Sequence, residues 1–167
     1  MQASTGFFSR LALLTPPADV GGLMALCEEN YHALLRLAPN LPRLTQRLRS
    51  KPNGRAELSL AIVEQSRYTS TLRLTHVLCG ESAAARPSEP DALLRAYHDA
   101  KQVEVLQLRQ TVLPIFNHYQ SPALAAKWRA NLFVCKWLGY CLQQGYQFPL
   151  SAEQSPTADL PELLSSN

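Results

Sequence analysis

The segment ELSLAIVEQSRYTSTLRLTHVL, residues 57–78, decides the fold, because its side chains alternate with a period of two on both sides of a short bend. In the first half, Leu58, Leu60 and Ile62 alternate with small or polar residues. In the second half, leucines alternate with threonines, a pattern typical of an antiparallel strand with one buried face. The bend at 64–66 joins the two halves, so the segment predicts a β-hairpin.

Two more strands are predicted farther along the chain, at 93–98 and 102–108, joined by a tight bend. A loop rich in small residues and proline, 79–91, separates them from the first hairpin. Strands joined by short connections usually pair with their neighbours in sequence. The four strands therefore predict an antiparallel meander.

Helical periodicity brackets the strands. Apolar residues recur at helical spacing over 18–38, with Asp19 as the N-cap and Pro39 after the end. A second helix is predicted over 122–145, and it is apolar around so much of its circumference that it must be buried or form an oligomer contact. The predicted fold class is therefore α+β, a four-stranded antiparallel meander sheet with the N-terminal and C-terminal helices packed on one face.

Proline and serine content sets the expected domain boundaries. Residues 1–17 are predicted to be a mobile N-terminal arm, 18–148 a single α+β domain, and 149–167 a mobile C-terminal tail. The connector 39–55 contains three prolines, and a short helical turn is expected in it near 43–48.

Composition and charge restrict the class of protein. With 46% hydrophobic and 17% charged residues, the chain is typical of a globular protein. A net charge of +3 is too small to favour nucleic acid by itself. One basic cluster is nevertheless present, consisting of Arg43, Arg47, Arg49, Lys51 and Arg55. Because no aromatic residues are interspersed with it for base stacking, RNA or DNA binding is the least favoured function.

The cysteines and the first residues bear on the cellular compartment. The cysteines form no C-x-x-C pair and fit no zinc spacing, so they predict buried free thiols in a reducing cytoplasm: Cys27, Cys79, Cys135 and Cys141. The apolar stretch FFSRLALL (7–14) is too short to span a bilayer, and no cleavage site follows it. The sequence therefore predicts a cytoplasmic protein with no membrane span, no metal site and no cofactor.

Polar side chains concentrate at the bends of the two predicted hairpins. In a meander both bends lie at the same end of the sheet, so the two clusters are expected to be neighbours. They make up a predicted polar patch of seven residues: Glu64, Arg67, Tyr68, Tyr97, His98, Asp99 and Glu104. We expect Arg67 at its centre, paired with one of the patch carboxylates, Glu64, Asp99 or Glu104. Two interpretations stay open. The residues either stabilise the turns, by hydrogen bonds to the backbone and cross-strand ion pairs, or form a functional site.

No catalytic residue is predicted. His98 and Asp99 are adjacent like an acid–base pair, but in a regular strand they point to opposite faces, and only a bend or bulge would let them converge. No motif of a nucleophile elbow, a zinc protease or a phosphate-binding loop accompanies them. His32 and His76 are interpreted as surface or packing residues.

Four blocks of the sequence together resemble the YqiB-like family, small bacterial proteins assigned to a domain of unknown function. The blocks are LCEENYHALLRL (26–37), IVEQSRYTSTLRL (62–74), LRAYHDAKQVEV (94–105) and NLFVCKWLGYCLQQG (131–145), in the family's order. The resemblance implies a cytoplasmic bacterial protein with no established activity. The positions that match the family pattern are Glu28, Asn30, Glu64, Arg67, Tyr68, Thr69, Tyr97, His98, Asp99, Glu104, Asn131 and Trp137.

The sequence leaves more than one function open. A non-enzymatic protein-binding or regulatory module is favoured, because the broad apolar surface of the last helix offers a contact for a protein partner or a second copy of the chain. The alternative is a small-molecule-binding domain or enzyme whose polar site lies at the hairpin tips. That site would consist of Arg67, Tyr68, Tyr97, His98 and Glu104.

Overall fold

The computed structural model describes residues 16–77, 89–110 and 124–149. Its five strands form one antiparallel sheet in the order β1–β2–β3–β4–β5, so the α+β class and the meander are confirmed. The elements, in chain order, are helix α1 (Val20–Leu37), a 3-10 turn (Leu41–Arg43), strands β1 (Leu48–Ser50), β2 (Glu57–Gln65), β3 (Thr69–Val77), β4 (Asp91–Tyr97) and β5 (Gln102–Arg109), and helix α2 (Leu124–Gln143).

The prediction of four strands is wrong, because β1 adds a fifth at the edge of the sheet. Leu48 pairs with Leu60, and Ser50 pairs with Leu58. Three residues are too few to display an alternating pattern, and the flanking prolines are typical of a loop. An edge strand tolerates nearby prolines, since one side of its backbone needs no partner in the sheet.

Helix α1 begins where the sequence predicted. The carboxylate of Asp19 accepts a hydrogen bond from the backbone N–H of Gly22 at 2.7 Å, as an N-cap residue does. Gly22 is also required for packing, because a Cβ at this position would overlap the carbonyl of Pro17. The helix therefore starts at a fixed point with a fixed approach of the preceding chain.

Both helices lie on one side of the sheet, which we call the inner face. Most apolar strand residues on this face are fully buried and pack with apolar residues of α1 and α2 in one core: Leu34, Leu37, Leu58, Leu60, Leu72, Leu74, Leu94, Val103, Val105, Val134 and Leu138. The alternation seen in the sequence is thus the alternation between this core and the opposite side of the sheet, which we call the outer face.

Two irregularities in strand pairing lie next to the polar residues. The pairing of β2 with β3 shifts between Ile62 and Glu64, and the pairing of β4 with β5 shifts between Leu93 and Leu94. Between these shifts and the hairpin bends, Glu64 stands opposite Thr71, and Glu104 stands opposite Arg95. Such bulges re-aim side chains at the ends of strands.

Some predictions fall outside the described residues. These are the arm apart from 16–17, the tail apart from 149, most of the loop 79–91, the start of the second helix at Pro122, and Cys79. None of the helices in the described ranges is sufficiently long and apolar to cross a membrane.

Candidate functional site

The two hairpin bends lie side by side, as the meander predicted. Thr69 pairs with Tyr97 at the ends of β3 and β4. The backbone N–H of His98 donates to the carbonyl of Tyr68 at 2.8 Å, which joins the two bends directly. The side chains of the predicted polar patch nevertheless go in three directions.

One group projects into solvent at the end of the sheet. Glu64, Arg67, Tyr68 and Asp99 are exposed, and the Arg67 guanidinium lies 5.2 Å from the centroid of the Tyr68 ring. Among the described residues no carboxylate lies within ion-pair distance of Arg67, so the predicted pairing is wrong. The physical reason is that Arg67 sits in a bend that extends past the last paired residues of β2 and β3.

His98 alone turns to the inner face. Its Nδ1 lies 3.1 Å from the Tyr31 hydroxyl of α1, and its Nε2 lies 2.7 Å from the Ser70 hydroxyl of β3. Asp99, the next residue, is exposed, because β4 ends at Tyr97 and a turn begins. Lys101 closes this turn with a φ of 53°.

The hydrogen bonds that link Tyr31, His98 and Ser70 can all form when the three side chains are uncharged. A neutral imidazole has one donor and one acceptor, and each hydroxyl can serve either, so both ring nitrogens are satisfied without a charge. Burial lowers the pKa of His98, with the negative charge of Asp99 opposing the effect. Burial also raises the pKa of Tyr31. Both shifts keep the Tyr31 and His98 side chains uncharged near neutral pH.

Ser70 and His98 are as close as a nucleophile and its general base. Ser70, however, is 0% exposed, so no substrate reaches its hydroxyl. The hydrogen bonds instead join the β4–β5 hairpin to β3 and to α1. These hydrogen bonds therefore fix the packing of the hairpin against α1 and β3.

A second inner cluster joins the two helices. The side-chain N–H of Asn30 donates to the carbonyl of Asn131 at 3.1 Å, and Asn131 donates to the carbonyl of Lys127 at 2.9 Å. The Cys27 thiol lies 3.7 Å from the Asn131 side-chain oxygen. Burial, helped by the charge of Glu104, raises the pKa of Cys27 to about 11, so the thiol stays protonated.

His76 is a packing residue, as interpreted from the sequence. The indole N–H of Trp137 donates to its Nδ1 at 3.0 Å, and the Tyr146 ring lies 5.3 Å away between centroids. Burial lowers the pKa of His76. This bond attaches α2 to β3 as Tyr31 attaches α1 to the hairpin.

The outer face carries a row of polar residues across four strands. The paired positions place Glu64 beside Thr71, Thr71 beside Arg95, and Arg95 beside Glu104. The Nε–H of Arg95 donates to the Thr71 hydroxyl at 3.2 Å. Glu104 accepts a hydrogen bond from the Tyr97 hydroxyl at 3.1 Å and lies 3.9 Å from the Lys127 ammonium.

A second group on the outer face surrounds Asp91. Its carboxylate, only 8% exposed, accepts hydrogen bonds from Arg73 at 2.6 Å and from Thr75 at 2.7 Å. Arg109 lies 3.6 Å from the same carboxylate. A charge-assisted network of this kind holds three strands together and gives the face a rigid polar surface.

Sequence reasoning missed the arginine at the centre of this surface. Arg95 was overlooked because the polar residues were grouped by their nearness to a bend. A usable signal was present, since Arg95 and Tyr97 are two residues apart on one strand and so share a face. The register between β3 and β4, which places Thr71 beside Arg95, left no such signal.

The polar side chains of the outer face can bind another molecule through charge and hydrogen bonds. In the described ranges no cluster of three or more His, Cys, Asp or Glu residues has the geometry to hold a metal ion. Cys135 and Cys141 are buried free thiols, as the sequence predicted, and burial raises the pKa of each to about 12.

Comparison with known proteins gives a family without a stated function. The model of the family described as "Protein of unknown function (DUF1249)" matches residues 33–147. "Uncharacterized protein YqiB" of Escherichia coli K12 is 31% identical over 132 residues, which cover 76% of this chain and 91% of that protein. Proteins of the same name from Escherichia coli O6:H1 and O157:H7 match equally well. No solved structure matches this chain.

Proposed function

Because this chain belongs to the DUF1249 family of proteins of unknown function, we propose its role from its own side chains: a non-enzymatic binding module that receives a protein partner on the outer face of its sheet. The observation that carries the proposal is the ordered polar surface centred on Arg95 and Asp91. Neither described helix packs on this surface, whereas the inner face is filled by both.

A non-enzymatic role is supported by the state of the reactive groups in the described ranges. The hydroxyl of Ser70, the one closest to a histidine base, is fully buried. The three free thiols have pKa values raised to about 11 or 12, so they are poor nucleophiles near neutral pH. Free thiols also fit our proposal that the protein works in the reducing cytoplasm.

The outer face supports the proposal better than the last helix does. Most apolar residues of α2 are buried against α1 and the sheet within the same chain, which leaves Tyr140 and Leu124 as its large exposed apolar side chains. The apolar surface that favoured self-association through α2 is therefore mostly covered within the chain itself. We therefore propose the sheet surface, and not α2, as the contact.

The alternative of a small-molecule site at the hairpin tips has less support. Arg67 and Tyr68 project into solvent, His98 faces inward, and Tyr97 and Glu104 lie on the outer face. Side chains that share no surface cannot line one pocket. Nucleic-acid binding by the exposed cluster at 43–55 also stays least favoured, since its Arg49 already lies 3.6 Å from Glu57.

Two matched substitutions test the proposal. Ala61 lies on the outer face opposite Arg73, so Ala61→Arg places a long side chain on the contact surface beside the Asp91 network. Ala25 is exposed on α1, so Ala25→Arg adds the same side chain elsewhere. Proteins captured by the tagged wild-type chain from bacterial cytoplasm would be quantified for both variants.

We expect Ala61→Arg to lose a partner that Ala25→Arg retains, with both variants unfolding at about the wild-type temperature. Retention of every captured protein by Ala61→Arg would refute a contact on the outer face. Loss of the partner by both variants would point to a contact outside this face and would refute it equally.

A further inference from the structure

Arg95 is the least occupied arginine of the outer-face network. It lies in the middle of β4, half-buried, with Thr71 on one side and Glu104 on the other. Within the described residues its side chain makes one hydrogen bond, from Nε–H to the Thr71 hydroxyl at 3.2 Å. A guanidinium has five N–H donors, so four remain on the two terminal nitrogens.

These four donors have no partner within the described part of the chain. They are also in contact with solvent, because neither nitrogen is among the buried unpaired polar atoms. Arg73 differs, since its guanidinium is already engaged with Asp91 at 2.6 Å. Within the described residues, Arg95 is thus an arginine of the outer face whose Nε is held by Thr71 and whose two terminal nitrogens are open to solvent.

The neighbouring carboxylates are engaged elsewhere. Glu104, which pairs with Arg95 across the strands, is oriented toward the Tyr97 hydroxyl at 3.1 Å and toward Lys127 at 3.9 Å. Asp91 is surrounded by Arg73 and Thr75. These contacts turn Glu104 away from Arg95, although an arginine and a glutamate at directly opposite positions would ordinarily pair.

From this arrangement we infer that Arg95 is an oxyanion-binding residue, and that its ligand presents a carboxylate or phosphate group to the two terminal nitrogens. The planar fork of a guanidinium matches two oxygens of such a group. Thr71 is a positioning residue, because its hydroxyl holds Nε and so fixes the plane of the fork before the ligand arrives. Fixing this plane in advance reduces the entropy lost on binding.

The inference deepens the proposed function in one respect only. If the oxyanion is an Asp or Glu side chain of the partner, the identification of that partner chemistry rests on the proposed function. The binding of an oxyanion by Arg95 does not, since it follows from the geometry of this residue alone.

Inorganic phosphate and acetate are the probes for the site. Each would be titrated into the full-length protein while the side-chain Nε–Hε signals of the arginines are followed by NMR. We expect a saturable shift of the Arg95 signal. Thr71→Val should weaken binding about tenfold, as expected for a fork that is no longer held in place. Arg67→Ala, which removes an exposed arginine at the nearby bend, should leave the affinity unchanged.

Arg95→Lys separates charge from geometry. Lysine keeps the positive charge but lacks the fork, so phosphate affinity, measured by calorimetry, should fall by about tenfold or more. Equal affinities of wild type, Arg95→Lys and Thr71→Val would mean diffuse attraction to a basic surface and would overturn the inference. No saturable shift of Arg95 in the wild type would overturn it as well.

A competing peptide identifies the source of the oxyanion. Displacement of phosphate from Arg95 by a peptide of alternating Glu and Ser supports an acidic segment of a protein partner. Binding of phosphate without competition supports the site but assigns its ligand to a small molecule, and the proposed function is then decided by the Ala61→Arg variant alone. A failed titration with loss of the partner in Ala61→Arg would overturn the inference and leave the proposed function intact.

Discussion

Strand β3 presents Ser70, Leu72 and Leu74 to the helices and Thr71 and Arg73 to the other side of the sheet. On the inner side the hydroxyl bonds to a histidine 2.7 Å away within a closed core. On the outer side Thr71 accepts a hydrogen bond from the half-buried Arg95, and Arg73 donates to the buried carboxylate of Asp91. Because a buried polar group must find its partner within the protein, the inner bonds fix the fold, whereas the outer donors keep capacity for a ligand.

The inner face uses its few polar residues to attach the helices. Tyr31 connects α1 to the β4–β5 hairpin through His98, and Trp137 connects α2 to β3 through His76. Directional bonds of this kind select one packing among several that apolar contacts alone would allow. The network of the outer face runs mainly from strand to strand, and Glu104 at its edge also lies 3.9 Å from Lys127 of α2.

Truncation of adjacent leucines on β4 should give the largest difference between the faces. Leu94 is fully buried, so Leu94→Ala should lower the free energy of unfolding by about 2–5 kcal/mol. Leu93 is half-buried on the outer face, and Leu93→Ala should cost less than about half as much. Urea unfolding measures both, and equal losses would contradict the division into a core face and a binding face.

The Asp91 network tests whether the outer face is rigid. Asp91→Ala removes a buried carboxylate bonded to Arg73 and Thr75, so we expect a loss of about 1–3 kcal/mol in unfolding free energy. Glu57→Ala is the control, because its ion pair with the largely exposed Arg49 should contribute about 0–1 kcal/mol. A loss for Asp91→Ala no larger than for Glu57→Ala would mean that the network is solvated and mobile.

The sequence predicted those parts of the fold that depend on local pattern. Helix α1 with its Asp19 cap and the neighbouring hairpin bends followed from periodicity and short connections. Strand β1 could not be predicted, because its three residues pair with β2 only after the sheet has formed. Its existence depends on tertiary contacts that no local pattern records.

The candidate site was predicted in place but not in detail. The two hairpin bends are neighbours as predicted, since Thr69 pairs with Tyr97, but the predicted patch was centred on Arg67 and did not include Arg95. The pairing of Arg95 with Glu104 follows from the tight bend between Tyr97 and Gln102, so this part of the arrangement could be predicted from spacing. The pairing of Thr71 with Arg95 joins two strands that the loop 79–91 separates in sequence, so its register could not be predicted from spacing alone.

Acid should weaken the inner face through His76. Its folded-state pKa is lowered by burial below the ordinary value of 6.5, so the unfolded chain binds a proton that the folded chain does not. The free energy of unfolding therefore keeps its full value above pH 6.5. It falls as the pH drops from 6.5 toward the folded-state pKa of His76, by at most about 1.4 kcal/mol per pH unit. His76→Gln keeps a hydrogen-bond acceptor for Trp137 and should reduce this slope in urea unfolding.

The exposed His32 provides the control for that slope. His32→Gln makes the same substitution at an exposed histidine on the solvent side of α1, outside the core that His76 joins. A slope that changes in His32→Gln and not in His76→Gln would contradict the burial argument.

The smallest expected effect is that of one hydroxyl, and it bears directly on how the two regions differ. Tyr31→Phe removes the bond to His98 Nδ1 but keeps the ring against the imidazole, so we expect a loss of about 0.5–1.5 kcal/mol in unfolding free energy. Tyr68→Phe changes an exposed tyrosine at the adjacent bend and should change stability by less than about 0.5 kcal/mol. Neither variant touches the outer face, so phosphate binding at Arg95 should stay at the wild-type level in both. A stability loss in Tyr31→Phe accompanied by weaker phosphate binding would mean that the two faces are coupled through the hairpin, and the separation of structure from binding would then be wrong.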